Sequence, residues 1–162
     1  MTKLDPIKAI LKTGDLRSST FTQIWITIRD LHKYLDSVLN KRAGISTIQM
    51  AVLHAITENG GAMNPTEIAQ WISTQRHNIT TLIRRMEKSE LITMRRNEND
   101  QRQIKVSITE KGKLIFNNTI PIAKEAIDDV MSIYDEGEII QIQSMCTLMA
   151  ASISRAKSKI RK

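Results

Sequence analysis

Apolar residues recur at helical intervals toward both ends of the chain and at alternate positions near its middle, so the pattern predicts long helices flanking a smaller mixed region. Between Ser18 and Asn40, the residues Phe21, Ile24, Trp25, Ile28, Leu31, Leu35, Val38 and Leu39 keep a helical period and define one long amphipathic helix. Ser46 followed by Gln49 makes a capping box for the next helix. At the far end Thr109 can cap a helix running toward Ile133, interrupted or bent near Pro121, because proline lacks the backbone donor a helix interior needs. Asp135 with Glu138 can cap a last helix whose stripe is Ile139, Ile142, Met145, Cys146, Met149 and Ile153.

The middle of the chain, residues 64–112, carries the most information. Asn64 can cap a short helix, Pro65 suits its first position, and Glu67 sits in the first turn, where the helix dipole favours a carboxylate. Ile68 and Ile72 share one face. Ser73 and Thr74 then offer a second cap, and Ile79, Leu82, Ile83 and Met86 recur at helical spacing through Lys88. Two helices a few residues apart form a helix-turn-helix. Beyond them, Leu91 to Arg95 and Ile104 to Ile108 are strand-like runs, the second alternating Ile104, Val106 and Ile108 with Lys105 and Ser107. The charged segment between these runs should project as a loop.

The second of the two helices keeps its apolar stripe on one side and places Gln75, Arg76, His77, Asn78, Thr80, Thr81, Arg84 and Arg85 on the others. Such a surface suits a duplex groove. A guanidinium pairs at two points with guanine and an amide with adenine, whereas His and Thr contact bases or phosphates less selectively. The N-terminal residues of a reading helix usually reach the bases. Gln75, Arg76, His77 and Asn78 are therefore expected at base edges, with Thr81 and Arg85 nearer the phosphates and Thr74 also counted among the DNA-binding residues. Arg95, Arg96 and Lys105 add charge from the hairpin. Arg102, projecting from the hairpin loop, suits a narrow minor groove, and Asp100 can pair with Arg102, Arg95 or Arg96 to hold its shape.

These residues resemble the MarR-type transcriptional regulators. Asp100-Gln101-Arg102, a short strand, then Ile108-Thr109-Glu110-Lys111-Gly112 look like that family's wing signature. Ile45-Ser46-Thr47-Ile48-Gln49, Val52-Leu53, Glu67-Ile68-Ala69, Ile79-Thr80, Leu82-Ile83, Met86-Glu87-Lys88 and Leu91-Ile92 fall where its pattern has similar residues. The likeness covers about residues 20–155. It implies a mainly helical winged helix-turn-helix with a small β-hairpin, a wing Arg (Arg102) in the minor groove and a nearby Asp (Asp100) orienting it. It also implies terminal helices that interlock as a homodimer, and in many members a small aromatic or phenolic effector. Two residues depart from the pattern: Glu90 stands where the family usually has Gly, and the wing lacks the Pro often found before its Asp. A left-handed Glu90 is strained relative to Gly, which leaves open a different closure of that turn.

Charge sharpens this reading. From Trp71 to Lys113 ten basic residues face five acidic ones, whereas from Leu114 to Ser154 Lys124 alone opposes six carboxylates. The overall excess of 24 basic over 17 acidic residues, net +7, thus hides a polarised chain whose middle would meet DNA. The basic tail Arg155, Lys157, Lys159, Arg161 and Lys162 is read as a solvated end that can add DNA affinity. The role of the first 15 residues is not readable.

The 162 residues, 41% hydrophobic and only 4% aromatic, suit a single helical domain: residues 16–42 and 114–158 as dimerisation helices, 45–112 as the DNA-binding region. Helices this long exceed what a small winged region covers, which favours burial against a second subunit. Two-fold pairing calls for a pseudo-palindromic double-stranded operator with half-sites about 10 base pairs apart. No secretory or membrane-spanning apolar run occurs, so a cytoplasmic protein with no membrane partner is expected. Catalysis has little support: His32, His54 and His77 fall on different helices, and no zinc spacing or phosphate-cradling loop appears. No cofactor or metal is expected. The lone Cys146, on an apolar stripe beside Met145 and Met149, reads as a core residue. Trp25, Met50, His54 and Trp71 are the candidates for an effector pocket, with a plain core role as the alternative. The sequence thus reads as a homodimeric transcriptional repressor that occludes its operator. The rival is a non-regulatory replication or architectural module with little sequence preference.

Overall fold

A computed structural model of the chain describes residues 15–74, 76–96 and 104–160, with 76, 77 and 160 as backbone alone. Asp15 opens the first helix, α1 (Leu16–Ala43), by accepting the Ser18 backbone N–H at 3.1 Å. That bond, with others from Arg17 and the Ser18 hydroxyl, holds the exposed Asp15 carboxyl below its ordinary value. α2 (Thr47–Glu58) begins at the expected capping box of Ser46 and Gln49. Asp36 of α1 accepts both the backbone N–H (2.8 Å) and the hydroxyl (2.9 Å) of Thr47. The Thr47 N–H is the main reason the Asp36 carboxyl titrates below the usual range. α1 is thereby fastened to the first turn of α2.

The helix-turn-helix follows as α3 (Pro65–Trp71) and α4 (Arg76–Lys88). Asn64 and Glu67 form a reciprocal capping box at α3. Ser73 does not cap α4 as expected. It closes α3, with φ of 54°, while its N–H and that of Thr74 return to Gln70 and Ala69. Gln75, between Thr74 and Arg76, lies outside the described residues, and with it the cap expected from Thr74.

A three-stranded antiparallel sheet completes this part, in the order β1 (Ala62–Met63), β3 (Ile104–Ile108), β2 (Ile92–Arg96). The sequence pattern gave the hairpin but not β1, which pairs Ala62 with Ser107 and Met63 with Val106. Ile45, Val52, Leu53, Ile56, Ile68, Ile79, Ile83, Met86, Leu91, Ile92, Val106 and Phe116 pack as one buried cluster. At about 1.5–3 kcal/mol for each fully buried aliphatic side chain, this cluster is what holds the short elements together.

α5 (Glu110–Met131) and α6 (Glu136–Ile160) follow. Thr109 caps α5 through its hydroxyl, which accepts the Gly112 N–H at 2.9 Å. Pro121 lies inside α5 and does not interrupt it. α6 starts at the reciprocal Asp135–Glu138 bonds that the sequence predicts. The chain divides into two compact units after Ala123. In the second unit α6 leaves Ile140, Met145, Leu148 and Ile153 exposed. Cys146 is exposed too, contrary to the core reading, because the stripe on which it lies is not covered in the single chain.

Candidate nucleic-acid interface

α4 divides its surface as its spacing dictates. Ile79, Ile83 and Met86 are buried, and Asn78, Thr81 and Arg85, three and seven residues apart, share one exposed line. Thr80, Arg84 and Lys88 are exposed beside them. Thr74, on the approach to α4, is half-buried. The backbone of Arg76 and His77 forms the first turn of α4, so both enter at the end expected to reach bases; their side chains lie outside the described residues, as do Gln75, Asp100 and Arg102.

The hairpin contributes an arrangement that no core requires. Arg95 stands directly opposite Lys105 on β2 and β3, both exposed, with Arg96 next along the strand. Like charges facing each other across a strand pair are destabilising. Among the described residues, Arg84, Arg85, Lys88, Arg95, Arg96 and Lys105 form no ion pair, whereas Lys111, Lys113 and Lys124 each meet a carboxylate. Among the described residues, the surface of α4 and the two strands therefore carries positive charge without ion-pair partners, suited to a phosphate backbone.

The turn between α4 and β2 sets the two against each other. Glu90 adopts the left-handed region at φ of 61°, its N–H returns to Glu87, and the Leu91 N–H returns to Met86. This is the glycine-type helix ending built on glutamate, and Met86 and Leu91 are both buried beneath it. The wing motif residues hold it in place. Thr109 donates its hydroxyl to Glu90 O (2.6 Å) and lies 3.1 Å from Leu91 O, and the Lys111 ammonium reaches the Glu90 carboxylate at 2.9 Å. Lys111 accordingly holds the Glu90 carboxyl below its ordinary value, by hydrogen bonding first and charge second. Gly112 is required by proximity: a Cβ there would lie 2.1 Å from Leu91 O.

Of the four residues considered for an effector, His54 and Trp71 meet. His54 lies edge-on to Trp71 with ring centroids 5.2 Å apart and stacks on Phe116 at 5.9 Å. Its Nε2 is 3.7 Å from Glu58. Met50 packs against the buried core. Trp25 lines a groove of about 380 Å³ on α1 with Ile28, Arg29, His32 and Lys33, whereas Trp71 lines another of about 670 Å³ with Asn59, Met63, Glu67 and Gln70. The pattern gave no sign of Phe116, because only the fold brings that position of α5 to His54. Glu87, whose carboxylate accepts the Met94 backbone N–H at 3.0 Å, was also unsignalled. Among the described residues no group of three or more His, Cys, Asp or Glu is placed to hold a metal, and no helix is long and apolar enough to cross a membrane.

Comparison with known proteins points the same way as this geometry. The chain is 24% identical over 110 residues to the HTH-type transcriptional repressor MdtR of Bacillus subtilis, covering 68% of this chain and 70% of that protein. It is 24% identical over 148 residues to the transcriptional repressor MprA of Escherichia coli, covering 86% and 84%. Among solved structures, a MarR family transcriptional regulator from Streptomyces coelicolor in complex with DNA superposes with a TM-score of 0.76 at 18% identity, over 86% of this chain and 92% of that one. An organohalide-sensing regulator in its 2,4-dichlorophenol-bound form gives 0.79 at 20% identity, over 88% and 83%. The family model for the transcriptional regulators SarA/Rot matches residues 34–119, more than half of the chain. The protein belongs to that family and is a DNA-binding transcriptional regulator with a MarR-type winged helix.

Proposed function

We propose that two copies of this chain bind a pseudo-palindromic operator and repress transcription by occluding it. The observation that carries this reading is the mutually repelling Arg95–Lys105 pair, which has no ion-pair partner among the described residues, beside the exposed line of Asn78, Thr81 and Arg85. In this reading residues 45–112 are the DNA-binding region of a single cytoplasmic MarR-like domain. Arg76, His77, Asn78 and Gln75 address base edges, while Thr74, Thr81, Arg85, Arg95, Arg96 and Lys105 hold phosphates. Arg102, oriented by Asp100, enters the minor groove. Residues 16–42 and 114–158 pair the two copies, an assignment supported by the exposed Phe21, Trp25 and Ile28 on α1 and Met145, Leu148 and Ile153 on α6.

A small aromatic or phenolic effector belongs to the same proposal. A relative by fold binds 2,4-dichlorophenol, and here the contact of His54 with Trp71 and Phe116 offers an aromatic surface to such a molecule. An effector releases DNA only through tighter binding to a conformation whose reading heads do not match the operator.

Footprinting on the promoter regions of its own genome, followed by titration of operator and random duplex, tests the reading. An operator preference of roughly a thousandfold or more at physiological salt is expected. Equal affinity for both duplexes would replace the regulator with a non-regulatory DNA-binding module. Arg102→Ala should weaken operator binding strongly while leaving helical content unchanged, and an unchanged affinity would remove the wing from the mechanism.

A further inference from the structure

Glu87 is out of place on electrostatic grounds. It lies in the last turn of α4, where the helix dipole favours cations, and its neighbours along the chain and across the turn are Arg84, Arg85, Lys88, Arg95 and Arg96. Beside a phosphate backbone its charge opposes binding. Amid these cations it forms no ion pair among the described residues. Instead the half-buried carboxylate reaches seven residues along the chain, and Oε1 accepts the Met94 backbone N–H at 3.0 Å.

That donor has a specific place in the sheet. β2 is an edge strand, and Met94 stands opposite Val106 in the antiparallel pair. An N–H bonded to Glu87 points away from β3, so it is an edge donor that the sheet itself leaves unsatisfied. The next residue, Arg95, is the one held opposite Lys105. One side chain thus ties the last turn of the reading helix to the middle of the wing strand that carries Arg95 and Arg96.

We propose that Glu87 is a positioning residue for operator recognition: it fixes the wing relative to α4, so that helix and wing enter neighbouring grooves in a single register. This rests on the operator-binding reading above. Phosphate attraction tolerates a change of angle between the two elements, because charge alone has little directionality. Base-edge contacts do not, because a bidentate bond fails with a small misplacement. Loosening the joint should therefore lower discrimination more than total affinity.

The test measures the ratio of operator to random-duplex affinity at two salt concentrations, together with thermal melting, for the full-length protein. Glu87→Gln keeps the acceptor oxygen and removes the charge; its ratio should stay within about threefold of the unsubstituted protein. Glu87→Ala removes both, and its ratio should fall roughly tenfold or more while random-duplex binding does not weaken. Glu87→Asp keeps the charge but is too short to reach Met94, so it should behave as Ala does and stands in for Ala if that variant does not fold. The proposal is overturned if Ala, Gln and Asp leave the ratio unchanged and move only the melting temperature. Equal tightening of both duplexes by Ala and Gln also overturns it, since Glu87 would then act through charge alone. An unsubstituted ratio near one removes the operator reading first, and the role of Glu87 with it.

Discussion

Apolar residues behave in opposite ways in the winged region and on the long helices. Between Ile45 and Phe116 one set of them closes into a single buried cluster, in which Leu53, Ile68 and Ile79 have no exposed surface. On α1 and α6 large apolar side chains stay open to solvent, with Phe21 58% and Leu148 65% exposed. Short elements cannot persist without mutual burial, because helices of 7 to 13 residues are marginal alone. The 25- and 28-residue helices carry far more apolar stripe than the single chain covers, which is the surface the proposed dimer would use. Stability of the reading head is thus local, while that of the long helices should depend on concentration.

The largest test of this contrast is Leu53→Ala, which should cost about 2–5 kcal/mol in chemical denaturation and do so at every protein concentration. Leu148→Ala should cost within about 0.5 kcal/mol in dilute protein. Its effect should grow as the concentration rises and association sets in. A Leu148 variant whose loss matched that of Leu53 at all concentrations would break the comparison.

Gly112→Ala comes next. The added Cβ meets Leu91 O at 2.1 Å, a backbone atom that cannot swing away as a flexible side chain would. A loss of about 1–3 kcal/mol in denaturation is expected, from displacement of the α4–β2 turn. Neutral behaviour would mean that the close approach is not maintained in solution.

Within the reading surface the comparison is between base and phosphate contacts. Asn78→Ala should lose about 1–3 kcal/mol of discrimination at particular base pairs. Arg95→Ala should instead weaken operator and random duplex alike and reduce the salt slope by about 1. Uniform loss in the Asn78 variant would demote it to a phosphate contact.

Which parts were legible in the sequence follows from the range of the interactions involved. The Ser46–Gln49 and Asp135–Glu138 boxes close over three residues, so residue type and spacing alone reveal them, whereas at Asn64 the spacing gave the cap and the structure adds the reciprocal bond from Glu67. The stripe of Ile79, Ile83 and Met86 is equally local. β1 was missed because Ala62 and Met63 carry no alternation and form a strand only where β3 offers partners. Ser73 is suited to both a helix start and a left-handed helix end, and its position relative to α3 decided between them. Glu87 and Phe116 act through contacts with Met94 and His54, which hydropathy cannot display. Cys146 was misplaced because a stripe identifies a face without saying what covers it.

The smallest expected effect concerns Glu90, where two local terms oppose each other. Its left-handed backbone is strained relative to glycine, whereas its side chain holds Lys111 at 2.9 Å in an exposed pair of the kind that contributes little. Relief of backbone strain should win, so Glu90→Gly is expected to raise the melting midpoint by about 2–4 °C at neutral pH. The pH dependence gives the sign of the other term. The folded carboxyl titrates below its ordinary value of 4.5, so the pair contributes fully above that value and is lost as pH falls through the lower, folded one. The glycine variant lacks this acid-labile contribution, and its advantage should therefore widen in acid. A constant difference across that range would show that Lys111 does not hold Glu90 in solution, leaving Thr109 as the wing-motif side chain bonded to the turn between the reading helix and the wing.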